Sequence, residues 1–322
     1  MEMPLVSVII PNYNHAKYLD ERIQSVLNQT YKNFEVVILD DNSKDNSRDI
    51  IEKYRSNAYV SQIVYNEVNS GSTFKQWHKG MEIAKGSLVW IAESDDTCEL
   101  NMLERLVSEF LRYPNNVISF STSTIIDPCG NIVSKPKSRK TKHLVGKSFI
   151  LHFMVHGNTI NNASSCVFKK AVAQQIPKQY ASYRGAGDRL FWIEIAMRGE
   201  VSIVNEGLNY FRQHNANTTS KLYLDGTNFI EDKLIFDYLI VNNLAPYSKR
   251  CLAKWYVNKR ISATTFGDDV VKNKVVKIWN IKVYELVFGY ITKEIDKVLA
   301  KCCSLMSRFI VIPVIYELVV LQ

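Results

Sequence analysis

Two adjacent carboxylates, Asp95 and Asp96, follow the apolar run Leu88-Val89-Trp90-Ile91-Ala92 by way of Glu93 and Ser94. Such a run reads as a buried parallel strand, and open α/β sheets bind ligands beyond the carboxyl ends of their strands. Side by side, two carboxylates repel each other unless a cation or ligand hydroxyls take up the charge. A divalent metal holding a diphosphate is the natural client; a turn or helix cap is the purely structural reading of the same pair. Two other strand ends carry polar clusters: Pro11-Asn12-Tyr13-Asn14 follows the first, and Asp40-Asp41-Asn42-Ser43 follows the second. An aromatic ring stacks on a base and a carboxylate accepts the imino proton of a uracil, so Tyr13 and Asp40 could together hold a pyrimidine nucleoside. Taken singly, they serve equally well as a turn tyrosine and a cap. Asp188 follows Gly187 at the head of an apolar helix, where an N-cap aspartate is the simplest assignment. His152 and His156 are four apart, but no glutamate follows His152 and no third ligand is evident, which argues against zinc.

These groups need elements to position them. Short apolar runs at 6–10, 34–39, 61–65 and 88–92 read as strands, and amphipathic stretches at 18–27, 47–54 and 73–84 read as helices between them. Asn46 or Ser47 is the expected cap of the second helix, and Gly86 the stop of the third. The alternation predicts a mostly parallel sheet with helices on both faces. A helix over 100–113 and a strand over 116–126 continue the series, and the strand turns at Asp127-Pro128-Cys129-Gly130. Segment 134–147 then holds Lys135, Lys137, Arg139, Lys140, Lys142 and Lys147 without an acidic residue: a solvated loop, or a surface for a diphosphate or anionic lipid. From about residue 222 onward the pattern is helical and basic. Trp77, Met81 and Trp192 sit at helical spacings and are expected in the core.

The formal charge of +8 suggests an anionic partner, whether nucleic acid, a phosphorylated substrate or a membrane surface. The cysteines form no C-x-x-C pair, as suits reduced thiols in a cytosolic chain. No secretory leader opens the sequence, and no apolar run approaches the roughly 20 residues that span a bilayer. The apolar stretches 309–312 and 314–321, interrupted by Pro313 and Glu317, are expected to attach to membranes peripherally or to dock as a terminal helix.

Pro-x-Tyr-Asn after the first strand, Asp-Asp-x-Ser after the second, Asn69-x-Gly71, Ala84-x-Gly86 and the Ser-Asp-Asp closing a strand occur in one order and spacing. Together they resemble the inverting, metal-dependent glycosyltransferases of the GT-A fold known as family two, over about residues 4–215. The resemblance implies an α/β catalytic domain over 1–220, with a nucleotide-sugar half over about 1–98 and an acceptor half over about 99–220. A helical region over 221–322, suited to a membrane or a partner, follows. Within the domain the resemblance has Pro11 and Tyr13 line the nucleotide, Asp40 bond the base and Asp95 hold the ribose. Asp96 binds Mn²⁺ or Mg²⁺ on the diphosphate, and His214 completes the metal shell unless it is a surface histidine. Asp188 becomes the catalytic base. The chain has Glu93-Ser94-Asp95-Asp96 where the family often has Asp-x-Asp-Asp. The implied partners are a nucleotide-sugar donor, most simply a UDP-sugar, and a glycan acceptor of the kind carried on a lipid diphosphate. Surface polysaccharide (O-antigen or capsule) assembly on the inner face of the cytoplasmic membrane is the implied setting, with no nucleic acid partner. The alternative is a non-catalytic nucleotide-sugar-binding scaffold subunit of a membrane assembly complex, against which Asp96 and Asp188 speak. A nucleotidyltransferase would show a glycine-rich phosphate loop with lysine, and Pro11-Asn12-Tyr13-Asn14-His15 is not one.

Overall fold

Strands buried on both faces need apolar runs, and the chain supplies three of them by residue 92, at 6–10, 34–39 and 88–92. The computed structural model describes residues 3–214 and 218–309, apart from the side chains of 218–220 and 300–309. The apolar stretches at 310–322 lie outside the described residues. The chain divides into two compact units, Met1–Gly146 with Thr159–Ser220, and Lys147–Asn158 with Lys221–Gln322.

The first unit opens with β1 (Val6–Asn12), α1 (Ala16–Leu27), β2 (Phe34–Asp40), α2 (Ser47–Glu52), β3 (Val60–Tyr65), α3 (Thr73–Ile83), β4 (Leu88–Ile91) and β5 (Thr97–Cys98). Next come α4 (Met102–Arg112), β6 (Asn116–Ile126), β7 (Ile132–Ser134), β8 (Lys142–Val145) and α5 (Gly146–Phe149), which reaches into the second unit. Then follow β9 (Cys166–Lys169), α6 (Lys170–Ala173), α7 (Gly187–Ala196) and β10 (Glu200–Arg212). The sheet runs β3-β2-β1-β4-β9-β6-β10-β5, with β7 on β6 and β8 on β10. Strands β1 to β4 are parallel to their neighbours among themselves, and β6 is parallel to β10. Between these two parallel blocks β9 runs antiparallel to both β4 and β6. The mostly parallel α/β sheet flanked by helices is the one expected from the sequence. The second unit carries α8 (Thr218–Leu224), α9 (Thr227–Val241), α10 (Tyr247–Ala263), α11 (Asp269–Trp279) and α12 (Val283–Phe309), the expected helical carboxyl-terminal region. Among the described residues, no helix is long and apolar enough to cross a membrane.

Helix α1 buries Leu19, Ile23 and Val26, one stripe at i, i+4 and i+7, against the sheet. Trp77, Met81 and Trp192 are buried as expected. Neither Asn46 nor Ser47 caps α2 through its side chain; Asp45 does the work, its Oδ1 accepting the Ser47 N–H at 3.0 Å and its Oδ2 accepting the Ala16 N–H at 2.8 Å. One carboxylate therefore orders the start of two helices. The basic segment is not wholly loop, since β8 adds antiparallel to β10.

Where β4 begins, backbone meets backbone. The Gly86 N–H donates to Ser7 Oγ at 2.7 Å, and that hydroxyl donates to Glu35 Oε1 at 2.6 Å, tying the α3–β4 loop to β1 and β2. A Cβ on Gly86 would lie 2.6 Å from both the Leu5 carbonyl oxygen and the Ser7 nitrogen. Backbone on that side cannot move without breaking the β1–β4 pairing. Gly86→Ala is expected to destabilise the fold by about 1–3 kcal/mol, read as a lowered denaturant midpoint; an unchanged midpoint would contradict the close approach.

Candidate active site

Three parallel strands end on one edge. In register, Asn12 of β1 stands beside Asp40 of β2, and the Ala92 N–H after β4 donates to the Ile9 carbonyl at 2.8 Å. The first two loops are laced together there. Asn12 Nδ2 donates to Asp40 Oδ1 at 3.0 Å and to Ser43 Oγ at 3.1 Å, while Ser43 N donates to Asp40 Oδ2 at 3.1 Å. Asn14 and Asn42 take positive φ, 56° and 63°, a conformation asparagine tolerates better than most residues. Between these anchors Pro11 is buried, whereas Tyr13 is 44% exposed, its ring open to a stacking partner. Asp40 is fully buried, and Arg48 Nε caps its Oδ2 at 3.3 Å. The Arg48 side chain is itself 47% exposed, so it covers the carboxylate from the solvent side. Asp41 faces away and accepts from Asn66, Ser70 and Gln76, pinning the loop before α3.

The turn after β4 separates the two aspartates. Strand β5 starts at Thr97 and pairs antiparallel with the end of β10, Tyr210 opposite Thr97, which draws Arg212 and His214 up to the turn. Asp96, expected as the metal ligand, is 1% exposed and bonded within this junction. Its Oδ1 accepts the Arg212 N–H at 2.9 Å, and its Oδ2 accepts from Asn162 Nδ2. Asp95, expected on the ribose, is instead the carboxylate that meets histidine, with His214 Nε2 at 3.0 Å from its Oδ2. His15 completes the group, and one donor atom from each of His15, Asp95 and His214 lies within 4.8 Å of the others. The Ser94 hydroxyl, 2.8 Å from His15 Nδ1, orients that ring, and Tyr18 stacks on His214 at 5.6 Å. Two imidazoles and a carboxylate, partly buried and convergent, fit a divalent cation that has further positions for phosphate oxygens and water. His152 and His156 belong to no such group among the described residues. His15 was not legible as a candidate, although it ends the first polar cluster; Arg22, Asn162 and Arg212 carried no signal beyond being polar.

Three acids within four residues create a charge problem. Burial, and then the charge of Asp95, push the Glu93 carboxyl up to about 8, although the Trp77 N–H donates to it at 2.8 Å. Burial and the same neighbour raise Asp96. For Asp95 burial also works against ionisation, but the His214 hydrogen bond and the nearby His15 outweigh it and hold the carboxyl low. Arg22 is the counterweight on the core side. It is fully buried, donates Nε to the Glu93 carbonyl at 2.9 Å, lies 5.5 Å over the Trp90 ring and lowers both Glu93 and Asp96.

Asp188 stands in the first turn of α7, but the N-cap is Ala186. The Asp188 Oδ1 accepts the Arg189 N–H at 2.7 Å. A shared aromatic core fixes this helix to the turn carrying Asp95: Trp192 lies 6.0 Å from Trp77, the residue that bonds Glu93. At Gly187 a Cβ would meet the Tyr180 carbonyl oxygen at 2.3 Å and the Phe74 ring at 2.7 Å, so only glycine lets Asp188 start the helix here.

Glu93 gives the site a measurable pH signature. Between its ordinary 4.5 and about 8 the folded chain keeps a proton that the unfolded chain has lost. Its contribution to stability is thus greatest below the unfolded value and falls as pH rises toward 8. Relative to Glu93→Gln, the wild type is expected to lose on the order of 1 kcal/mol or more between about pH 5 and 8, measured by denaturant unfolding. Parallel pH profiles would contradict the buried, raised carboxyl.

The model of the family described as "Glycosyl transferase family 2" matches residues 7–176. Over 222 residues, 67% of this chain and 82% of the relative, the sequence is 28% identical to TuaG of Bacillus subtilis (strain 168), named for teichuronic acid biosynthesis. A glycosyltransferase of Methanocaldococcus jannaschii is 31% identical over 223 residues, 67% of this chain and 73% of that one. Among solved structures, S. aureus TarS 1–349 in complex with UDP-GlcNAc superposes with a TM-score of 0.63 at 20% identity, covering 80% of this chain and 72% of that one. Mannosyltransferase PcManGT from Pyrobaculum calidifontis, in complex with GDP-Man and Mn²⁺, gives 0.52 at 13% identity, over 95% and 81%. At these identities the two structures speak to the fold. With more than half of the chain matched by the family model, the protein is a glycosyltransferase and belongs to Glycosyl transferase family 2.

Proposed function

We propose that this enzyme transfers a sugar from a UDP-sugar to a glycan hydroxyl with inversion, using Mn²⁺ held by His15, Asp95 and His214. The observation that carries the reading is the convergence of those three side chains on the sheet edge that also exposes Tyr13. His15, Asp95 and His214 would hold a divalent cation there, which when bound would neutralise the charge gathering on the departing nucleoside diphosphate. Two nitrogen donors and one oxygen donor make a softer set than the all-oxygen shell Mg²⁺ prefers, which favours Mn²⁺ of the two. Tyr13 stacks on the base, and Asp40 accepts its imino proton once the exposed Arg48 swings aside. Asp96 and Arg212 keep the turn rigid, so that Asp95 needs no rearrangement to bind. Asp188 accepts the proton of the acceptor hydroxyl as that oxygen bonds to the anomeric carbon. PcManGT was solved with Mn²⁺ and TarS with UDP-GlcNAc, in keeping with a nucleotide-sugar donor and a cation here. TuaG's name and the net charge of +8 favour an anionic cell-surface glycan as acceptor, assembled on the inner face of the cytoplasmic membrane, to which this enzyme attaches peripherally. The scaffold reading differs in one respect: it has no use for Asp188.

The metal assignment is tested by titration calorimetry with UDP. Mn²⁺ is expected to tighten UDP binding more than Mg²⁺, and Asp95→Asn to lose on the order of ten- to a hundredfold of the Mn²⁺-dependent affinity. Wild-type affinity in Asp95→Asn would remove Asp95 from the shell.

Asp188→Asn is expected to cut turnover by about 10²- to 10⁴-fold while UDP affinity stays within a few-fold. Asparagine keeps an Oδ1 that can accept the Arg189 N–H, so the loss would not trace to that helix-end bond. Full activity in this variant, or a product that retains the donor's anomeric configuration, would overturn the mechanism.

A further inference from the structure

Helix α12 has more apolar surface than its own unit covers. One face packs on α10: Lys254 Nζ bonds Glu285 at 2.6 Å, Lys249 Nζ bonds Asp296 at 2.7 Å, and a Cβ on Gly289 would meet the Cys251 carbonyl oxygen at 2.3 Å. Glu285, Gly289, Thr292 and Asp296 thus define the covered face. A second face begins one residue earlier at each step. Tyr284, Phe288, Ile291, Ile295 and Val298 are 64%, 42%, 45%, 52% and 58% exposed. Their spacing is four, three, four, three, and in sequence it runs on through Cys302, Leu305 and Phe309. That is the heptad repeat of a helix that pairs along its length with another, sustained over about three and a half heptads.

We propose that this stripe binds the same stripe on a second copy of the chain, as a coiled-coil seam. Area and charge both select this occupant. Half-exposed side chains of this size leave on the order of 80 to 100 Å² each open. The five then offer on the order of 1,000 Å² over two copies, about the least that a specific interface buries. Lys293 and Lys297 fall roughly 140° or more around the helix from the centre of the stripe; in sequence the flank of the seam carries Val287, Glu294, Lys301 and Arg308 at intervals of seven, with Glu294 3.1 Å from both Lys293 and Lys297. A flank that carries both Glu294 and Lys301 is self-complementary, so a second copy meets the apolar seam with opposite charges on offer and with Lys293 and Lys297 turned outward.

Sedimentation velocity of the full chain, over a concentration series and without detergent, tests the proposal. The wild type is expected to exceed the monomer mass. The double variant Ile291→Ser with Ile295→Ser should return to monomer with at least about tenfold weaker association, and Lys297→Ser, on the opposite side, should associate as the wild type does. Both substituted sites are exposed, and an unchanged far-ultraviolet dichroism spectrum and unchanged UDP affinity confirm that the variants are folded. A wild type that is monomeric throughout, or a double variant that associates unchanged, overturns the proposal. A monomer that floats with anionic vesicles, and stops floating in the double variant, would assign the stripe to lipid and overturn it equally.

Discussion

Asp96 holds the site together from below. Its two oxygens take a backbone N–H from the end of β10 and a side-chain amide from Asn162, so three segments far apart in sequence meet at one buried carboxylate. Arg212 makes the same junction from the other side, with Nε on the Asp95 carbonyl at 2.8 Å and Nη2 on Glu21 at 2.6 Å. Only with this junction formed does His214 come within reach of Asp95, across 119 residues of sequence. Removing Glu21 would leave the buried Arg212 charge uncompensated on that side, which costs more than the contact itself is worth.

The charges around the turn divide by depth. Asp95 is kept ionised by the two histidines, whereas burial holds Glu93 and Asp96 toward their neutral forms. Arg22 moderates both, buried against Trp90. A cation in that position is tolerable because acids surround it, and the acids are tolerable because of it. Of the three acids only Asp95 is held low, with 19% of its side chain exposed and His214 bonded to it.

Much of this was legible in the sequence. Continuous apolar runs marked β1, β2 and β4, and their polar ends marked the edge that carries Tyr13, Asp40 and Asp95. What the sequence could not tell is which of two adjacent aspartates faces the opening. That depends on the pairing of β5, two residues long, with a strand more than a hundred residues later. No local pattern reports so short a strand, and shifting the register by one residue would exchange the two side chains. The same limit hid β9, whose insertion between the parallel blocks is a matter of tertiary pairing. His15 escaped notice because its role needs His214 beside it, and Asp45 because a residue that serves two helix starts is invisible when each helix is read alone.

The proposed cation site is tested by where the ion binds. Crystals of the enzyme grown with UDP and Mn²⁺, with diffraction recorded at the manganese absorption edge, locate the ion by its anomalous signal. A peak among His15, Asp95 and His214, with Asp96 still bonded to the Arg212 N–H, is the predicted result. A peak on the Asp96 carboxylate with the histidines outside its shell would contradict it.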